Sequence, residues 1–104
     1  METRKTTLYI GLNDKDTKHQ EIDTVEAVKI ATNIICRKVD GCTIYNATGI
    51  YHHDDGEIVI ENSLRIEMID APSAAVSEIV CSLKAALNQE SIIVQADIIN
   101  SYIA

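Results

Sequence analysis

Glu61, Ser63, Arg65 and Glu67 fall at alternate positions, and together they are the densest set of reactive side chains in the sequence. In an extended strand such positions share one face, so a guanidinium would stand between two carboxylates with a hydroxyl beside it. Arg65 there can hold a carboxylate or phosphate through two parallel bonds. The Glu61, Arg65 and Glu67 group could also do acid–base work if one carboxyl kept its proton. The bland alternative is a solvated face on which Glu61 and Glu67 neutralise Arg65.

Other chemistry-bearing stretches are weaker. His52-His53-Asp54-Asp55-Gly56-Glu57 has the composition of a metal site, but adjacent strand residues point to opposite faces, so the two imidazoles do not chelate one ion from an extended backbone. No metal is expected, and a solvated hairpin tip accounts for the stretch. Asn13-Asp14-Lys15-Asp16 lacks the Gly and distal Glu of a calcium hand. Cys36, Cys42 and Cys81 leave one unpaired whichever two are joined and show no metal spacing; they read as reduced packing or boundary residues. No phosphate cradle, nucleophile elbow or H-E-x-x-H helix occurs, so no catalytic residue and no cofactor is assigned. Asn88-Gln89-Glu90-Ser91 reads as a helix-end cap tied to the sheet, with a ligand loop as the alternative.

The elements that position these groups follow from periodicity. Leu8, Ile10 and Leu12 alternate with Thr7, Tyr9 and Gly11, which predicts a strand over 6–12, and the polar 13–21 stretch predicts an exposed loop. Asp23 with Glu26 three residues on predicts a helix start. Val28, Ala31, Ile35 and Val39 mark its apolar stripe, and Asp40-Gly41 its end. Residues 42–69 predict two long strands joined at Asp55-Gly56 by a two-residue turn. That register pairs Tyr51 with Ile60, Ala47 with Leu64 and Tyr45 with Ile66, assigning Tyr45, Tyr51, Ile58, Ile60, Leu64 and Ile66 to the core. It pairs Ile50 with Glu61, Thr48 with Ser63 and Asn46 with Arg65 on the opposite face. A helix after Pro72 presents Val76, Ile79, Val80, Leu83 and Leu87 on one stripe, and 91–98 alternates as the last strand.

The order β-α-β-β-α-β is the split βαβ, ferredoxin-like motif of α+β proteins. Right-handed crossovers put the first and third strands at the centre of a four-stranded antiparallel sheet, with two helices on one face. At 104 residues the chain fits one domain, 1–104. The other sheet face then collects Tyr9, Asn46, Thr48, Glu61, Ser63, Arg65, Glu67 and Gln95, of which Arg65, Tyr9, Asn46, Thr48, Glu61, Ser63 and Gln95 are the proposed ligand-binding set.

Charge narrows the partners. Nine basic against sixteen acidic residues give −7, which disfavours non-specific nucleic-acid binding while leaving room for a local anion pocket. There is no run of 18 apolar residues and no apolar leader before a cleavage site, so a cytoplasmic, non-membrane protein is expected.

Leu8-Tyr9-Ile10-Gly11-Leu12, Asp40-Gly41-Cys42-Thr43, Gly49 before Tyr51, Glu61-Asn62-Ser63-Leu64-Arg65 and Asn88-Gln89-Glu90-Ser91 resemble a family of short uncharacterised bacterial and phage proteins. That family is in turn similar to a larger domain family of unknown function with an L-Y-x-G-L start and a Q-E-S end. The resemblance spans nearly the whole chain and implies the ferredoxin-like fold and a mobile-element origin, but no catalytic residues. The fold is also similar to that of trimeric signal-binding proteins of the nitrogen-regulatory and divalent-cation-tolerance types.

Taken together, the sequence points to a non-enzymatic homo-oligomer that binds a small anionic or nucleotide-like ligand, such as a phage sponge for a host defence signal. Two alternatives stand beside it: an acidic module that docks on or inhibits a host protein, and a small enzyme using Glu61, Arg65 and Glu67.

Overall fold

The computed structural model describes residues 2–104. Its elements are β1 (Glu2–Gly11), α1 (Thr24–Cys36), β2 (Thr43–His52), β3 (Ile58–Ile69), α2 (Ser73–Ala86) and β4 (Ile93–Asn100). The four strands form one antiparallel sheet in the order β2-β3-β1-β4. This is the α+β, ferredoxin-like arrangement predicted from the sequence.

Asp23 starts α1 because its side chain accepts the Glu26 N–H at 2.8 Å, satisfying a donor that the first turn leaves open. The helix stops at Cys36, a turn earlier than the apolar stripe suggests, with Arg37 at the C-cap. Pro72, with its fixed extended backbone, stands at the N-cap of α2.

The core lies between the helices and the sheet. Ala27, Ala31 and Ile35 of α1 and Val76, Ile79 and Leu83 of α2 cover Leu8, Ile10, Leu64, Ile66 and Met68. Burying each large aliphatic side chain contributes roughly 1.5–3 kcal/mol. Cys36 and Cys81 are exposed rather than packed, and Cys42 is half-buried; all three are free thiols.

The hairpin differs from expectation by one residue. The Gly56 N–H donates to the His53 carbonyl and the His53 N–H to the Glu57 carbonyl, so the loop is Asp54-Asp55-Gly56. Gly56 sits at φ 86°, the left-handed conformation that closes a three-residue loop. One added loop residue shifts the pairing by one, which turns every β2 side chain over relative to β3. Tyr45 therefore faces Arg65, Ala47 faces Ser63, Gly49 faces Glu61 and Ile50 faces Ile60. Tyr45 and Tyr51 leave the core for the outer face, while Asn46 and Thr48 move to the helix side.

Pairing of β3 with β1 ends at Ser63, so the outer part of the hairpin runs on as a two-stranded arm. Ile50, Ile58 and Ile60 share one face of that arm beyond the helices, 63–68% exposed. Leu64 and Ile66, nearer the centre, are fully buried as expected.

Candidate functional site

On the outer sheet face β3 presents Glu61, Ser63, Arg65 and Glu67. In register they meet Gly49, Ala47, Tyr45 and Thr43 of β2 on one side. On the other side Ser63, Arg65 and Glu67 meet Gly11, Tyr9 and Thr7 of β1. Gln95 of β4 stands beside Thr7. Of the predicted set, Tyr9, Glu61, Ser63, Arg65 and Gln95 thus share the face, and the register shift replaces Asn46 and Thr48 with Tyr45, Ala47 and Gly49.

Glu67 is the hub of one half. One of its oxygens accepts from the Tyr45 hydroxyl at 2.9 Å; the other takes Arg65 Nη2 at 2.6 Å, with Lys5 Nζ at 3.7 Å. The hydrogen bond from Tyr45 holds the Glu67 carboxyl below the usual carboxylate range; partial burial opposes this, and the charges of Arg65 and Lys5 assist it. The same bond, with the Glu67 charge, pushes the Tyr45 phenol up. The Arg65 guanidinium carbon also lies 5.2 Å from the Tyr45 ring centroid, within cation–π range. Glu67 engages only Nη2 of this partly exposed guanidinium, and among the described residues its buried Nε has no hydrogen-bond partner. Tyr9 adds a long hydroxyl contact to Gln95 at 3.5 Å.

Glu61 defines the other half. One carboxylate oxygen accepts the Asn13 N–H at 2.9 Å, and among the described residues no cation pairs with it. Bare backbone surrounds it. A Cβ added at Gly11 would lie 2.6 Å from Glu61 Cδ, and one added at Gly49 would lie 2.8 Å from Ser63 Oγ. Two glycines thus make the space that the Glu61 and Ser63 side chains occupy. Partial burial, with the Glu61 charge second, pushes the Tyr51 phenol up, and Tyr51 meets His53 edge to face at 5.7 Å.

The 13–21 loop has the expected exposed tip but a pinned base. Asn88, at φ 48°, donates to Asp14 at 2.8 Å and to Asp16 at 2.9 Å. The Asn88 bond, with the Asp16 and Thr17 backbone N–H groups, lowers the Asp14 pKa. Gln89 reaches the Asn13 carbonyl at 2.9 Å and the Leu87 carbonyl at 3.1 Å, so the Asn88-Gln89 junction caps the helix end as the sequence suggested but ties it to the loop rather than directly to the sheet. His52 and His53 emerge on opposite faces of the arm. Among the described residues no three His, Cys, Asp or Glu side chains gather to hold a metal, and no helix is long and apolar enough to cross a membrane.

The sequence reading missed Tyr45, Lys5, Asn13 and the two glycines as parts of this face. Gly49 opposite a long acidic side chain carried a signal, but only the correct loop length reveals that pairing.

Residues 5–100 match the protein-family model described as a protein of unknown function, DUF3574. The chain belongs to that family. No curated protein sequence matches it significantly. A phage SAM lyase solved in complex with S-methyl-5′-thioadenosine is 26% identical, with a TM-score of 0.69 over 91% of this chain and 80% of that one. CutA from Synechococcus elongatus is 11% identical, with a TM-score of 0.59 over 91% and 74% of the two chains. CPII, a nitrogen-regulatory PII-like protein from Thiomonas intermedia bound to ADP, AMP and bicarbonate, is 16% identical, with a TM-score of 0.55 over 99% and 98%. The last two establish likeness of fold, in keeping with the fold-level resemblance drawn from the sequence.

Proposed function

We propose that this member of the family binds S-adenosylmethionine on the outer sheet face and cleaves it to S-methyl-5′-thioadenosine. The observation that carries the reading is the 26% identity, spread over 91% of the chain, to a phage SAM lyase that holds this thioether. The geometry supports a cationic substrate. Glu67 is occupied by Tyr45, Arg65 and Lys5, which leaves Glu61 as the carboxylate that meets the ammonium and sulfonium charges. The partly exposed Arg65 guanidinium, bound to Glu67 through Nη2, offers its remaining end to the substrate's carboxylate, while Tyr9, Tyr45 and Tyr51 offer apolar ring faces to the adenosine.

Cleavage breaks the Cγ–S bond with its electron pair staying on sulfur, giving a neutral thioether. The substrate's own carboxylate oxygen forms the new bond to Cγ and closes a lactone, so charge and atoms balance without a protein base. The protein then has to fold the substrate so that its carboxylate approaches Cγ, and to keep water away. Such chemistry agrees with a site that offers placed charges and no paired nucleophile and base.

The copies associate in solution in this proposal, covering the exposed isoleucines of the arm, and the protein works in the cytoplasm of a phage-infected cell. Incubation with S-adenosylmethionine, followed by chromatography, is expected to yield S-methyl-5′-thioadenosine. Glu61→Gln should lower both binding and product formation. Binding without product would leave the second reading, non-enzymatic sequestration of a nucleotide-like ligand, which the partly exposed Arg65 guanidinium favours. Absence of any binding, by calorimetry, would remove both.

A further inference from the structure

Gln89 is a polar side chain only 9% exposed, outside the strands that build the outer face. Buried amides are retained where their hydrogen bonds are met, and the partners of this one lead directly to the site. Its Nε2 donates to the Asn13 carbonyl at 2.9 Å and to the Leu87 carbonyl at 3.1 Å. Asn13 in turn donates its N–H to Glu61 Oε2 at 2.9 Å. A continuous path therefore runs from the end of α2, through one residue of the loop, to the carboxylate that lacks a cation.

The rest of the loop base is fixed from the same side. The Lys15 N–H donates to the Asn88 carbonyl at 3.0 Å, and the Asn88 side chain bridges Asp14 and Asp16. On the sheet side, the Leu12 N–H donates to the Asn62 carbonyl at 2.9 Å. Asn13 thus lies between β3 and the α2 end, with its N–H on Glu61 and its carbonyl on Gln89. Because Gly11 supplies no side chain, this donor is the contact that decides where the Glu61 carboxylate rests.

We propose that Gln89 is a positioning residue: by clamping Asn13 it aims the Asn13 N–H at Glu61 and fixes that carboxylate against the substrate's positive charge. The assignment of the cation to Glu61 rests on the function proposed above; the clamp itself does not. A hydrogen bond to an ionised acceptor is stronger and more directional than a neutral one, and displacement of a placed group by about 1 Å can cost on the order of 100-fold in rate.

Two variants test it. Gln89→Met keeps the length and removes the donor, whereas Gln89→Glu keeps the shape and turns an acceptor toward the Asn13 and Leu87 carbonyls. Amide hydrogen exchange of the ligand-free protein is expected to speed up at Asn13 by roughly tenfold in both variants, the worth of one hydrogen bond. The Ile79 and Leu83 amides of α2 should keep their protection, which separates positioning from general loosening. Calorimetry with S-adenosylmethionine should show the dissociation constant rising by about tenfold in the same variants.

Unchanged exchange at Asn13 in the Met variant would overturn the clamp. Faster exchange at Asn13 with unchanged affinity for S-adenosylmethionine would overturn its link to the site. If the unsubstituted protein binds no S-adenosylmethionine, the proposed function falls, while the exchange result still decides whether Gln89 clamps Asn13.

Discussion

At the scale of single residues, the outer face has two carboxylates with opposite circumstances. Glu67 is saturated by Tyr45, Arg65 and Lys5, and Tyr45→Phe is expected to let its lowered pKa rise toward the ordinary value, measured by carboxyl NMR titration. The sign for stability follows from the direction. A carboxyl whose folded pKa lies below its unfolded one adds stability above the usual carboxylate range, and that stability is lost as pH falls through the folded value. Urea unfolding should accordingly show a smaller loss between neutral pH and the acid range in the Phe variant than in the parent. Glu61 instead depends on space, and Gly11→Ala would push a Cβ into its carboxylate. That substitution should abolish binding of S-adenosylmethionine by calorimetry, with thermal unfolding showing the fold intact. The residues of β1, β3 and β4 on this face were legible in the sequence, because alternation alone assigns Tyr9, Glu61, Ser63, Arg65 and Gln95 to it. Tyr45 was not, since an aromatic ring in a hairpin fits a core equally well and its partner hydroxyl bond depends on register.

At the scale of elements, the helices and strands were readable because each rests on local physics. The Asp23 cap is the clearest case, and Asp23→Ala should cost about 1 kcal/mol in denaturant unfolding by orphaning the Glu26 N–H. The hairpin loop is governed by conformation rather than contacts. Gly56→Ala forces a Cβ into positive φ and should cost roughly 1–2 kcal/mol in the same measurement, although nothing crowds the position. Asp55-Gly56 suits both a two-residue and a three-residue loop, and the sequence contains no feature that separates them; the choice is made by tertiary pairing along the whole of β2 and β3. The early end of α1 has a similar origin. Its apolar stripe continues to Val39, but the chain leaves the helical path after Cys36 and packs Val39 from a turn.

For the molecule as a whole, the split βαβ order followed from the sequence of elements, and right-handed crossovers left no freedom in strand order. What the order could not convey is how far β2 and β3 outrun the rest of the sheet. A ribbon of two strands is marginal in water by itself, and Ile50, Ile58 and Ile60 leave one side of this ribbon apolar. Association of copies is the expected remedy: native mass spectrometry should give more than one subunit, and Ile58→Lys with Ile60→Lys should shift the population to monomer. The length of the tip loop also has a genetic meaning. Loss of a single codon among Asp54, Asp55 and Gly56 would rotate β2 by one position against β3, turning Tyr45 toward the helices and displaying Asn46 and Thr48 on the outer face instead. One in-frame deletion outside the outer face would thereby exchange the side chains that β2 contributes to it, while those of β1, β3 and β4 stay in place.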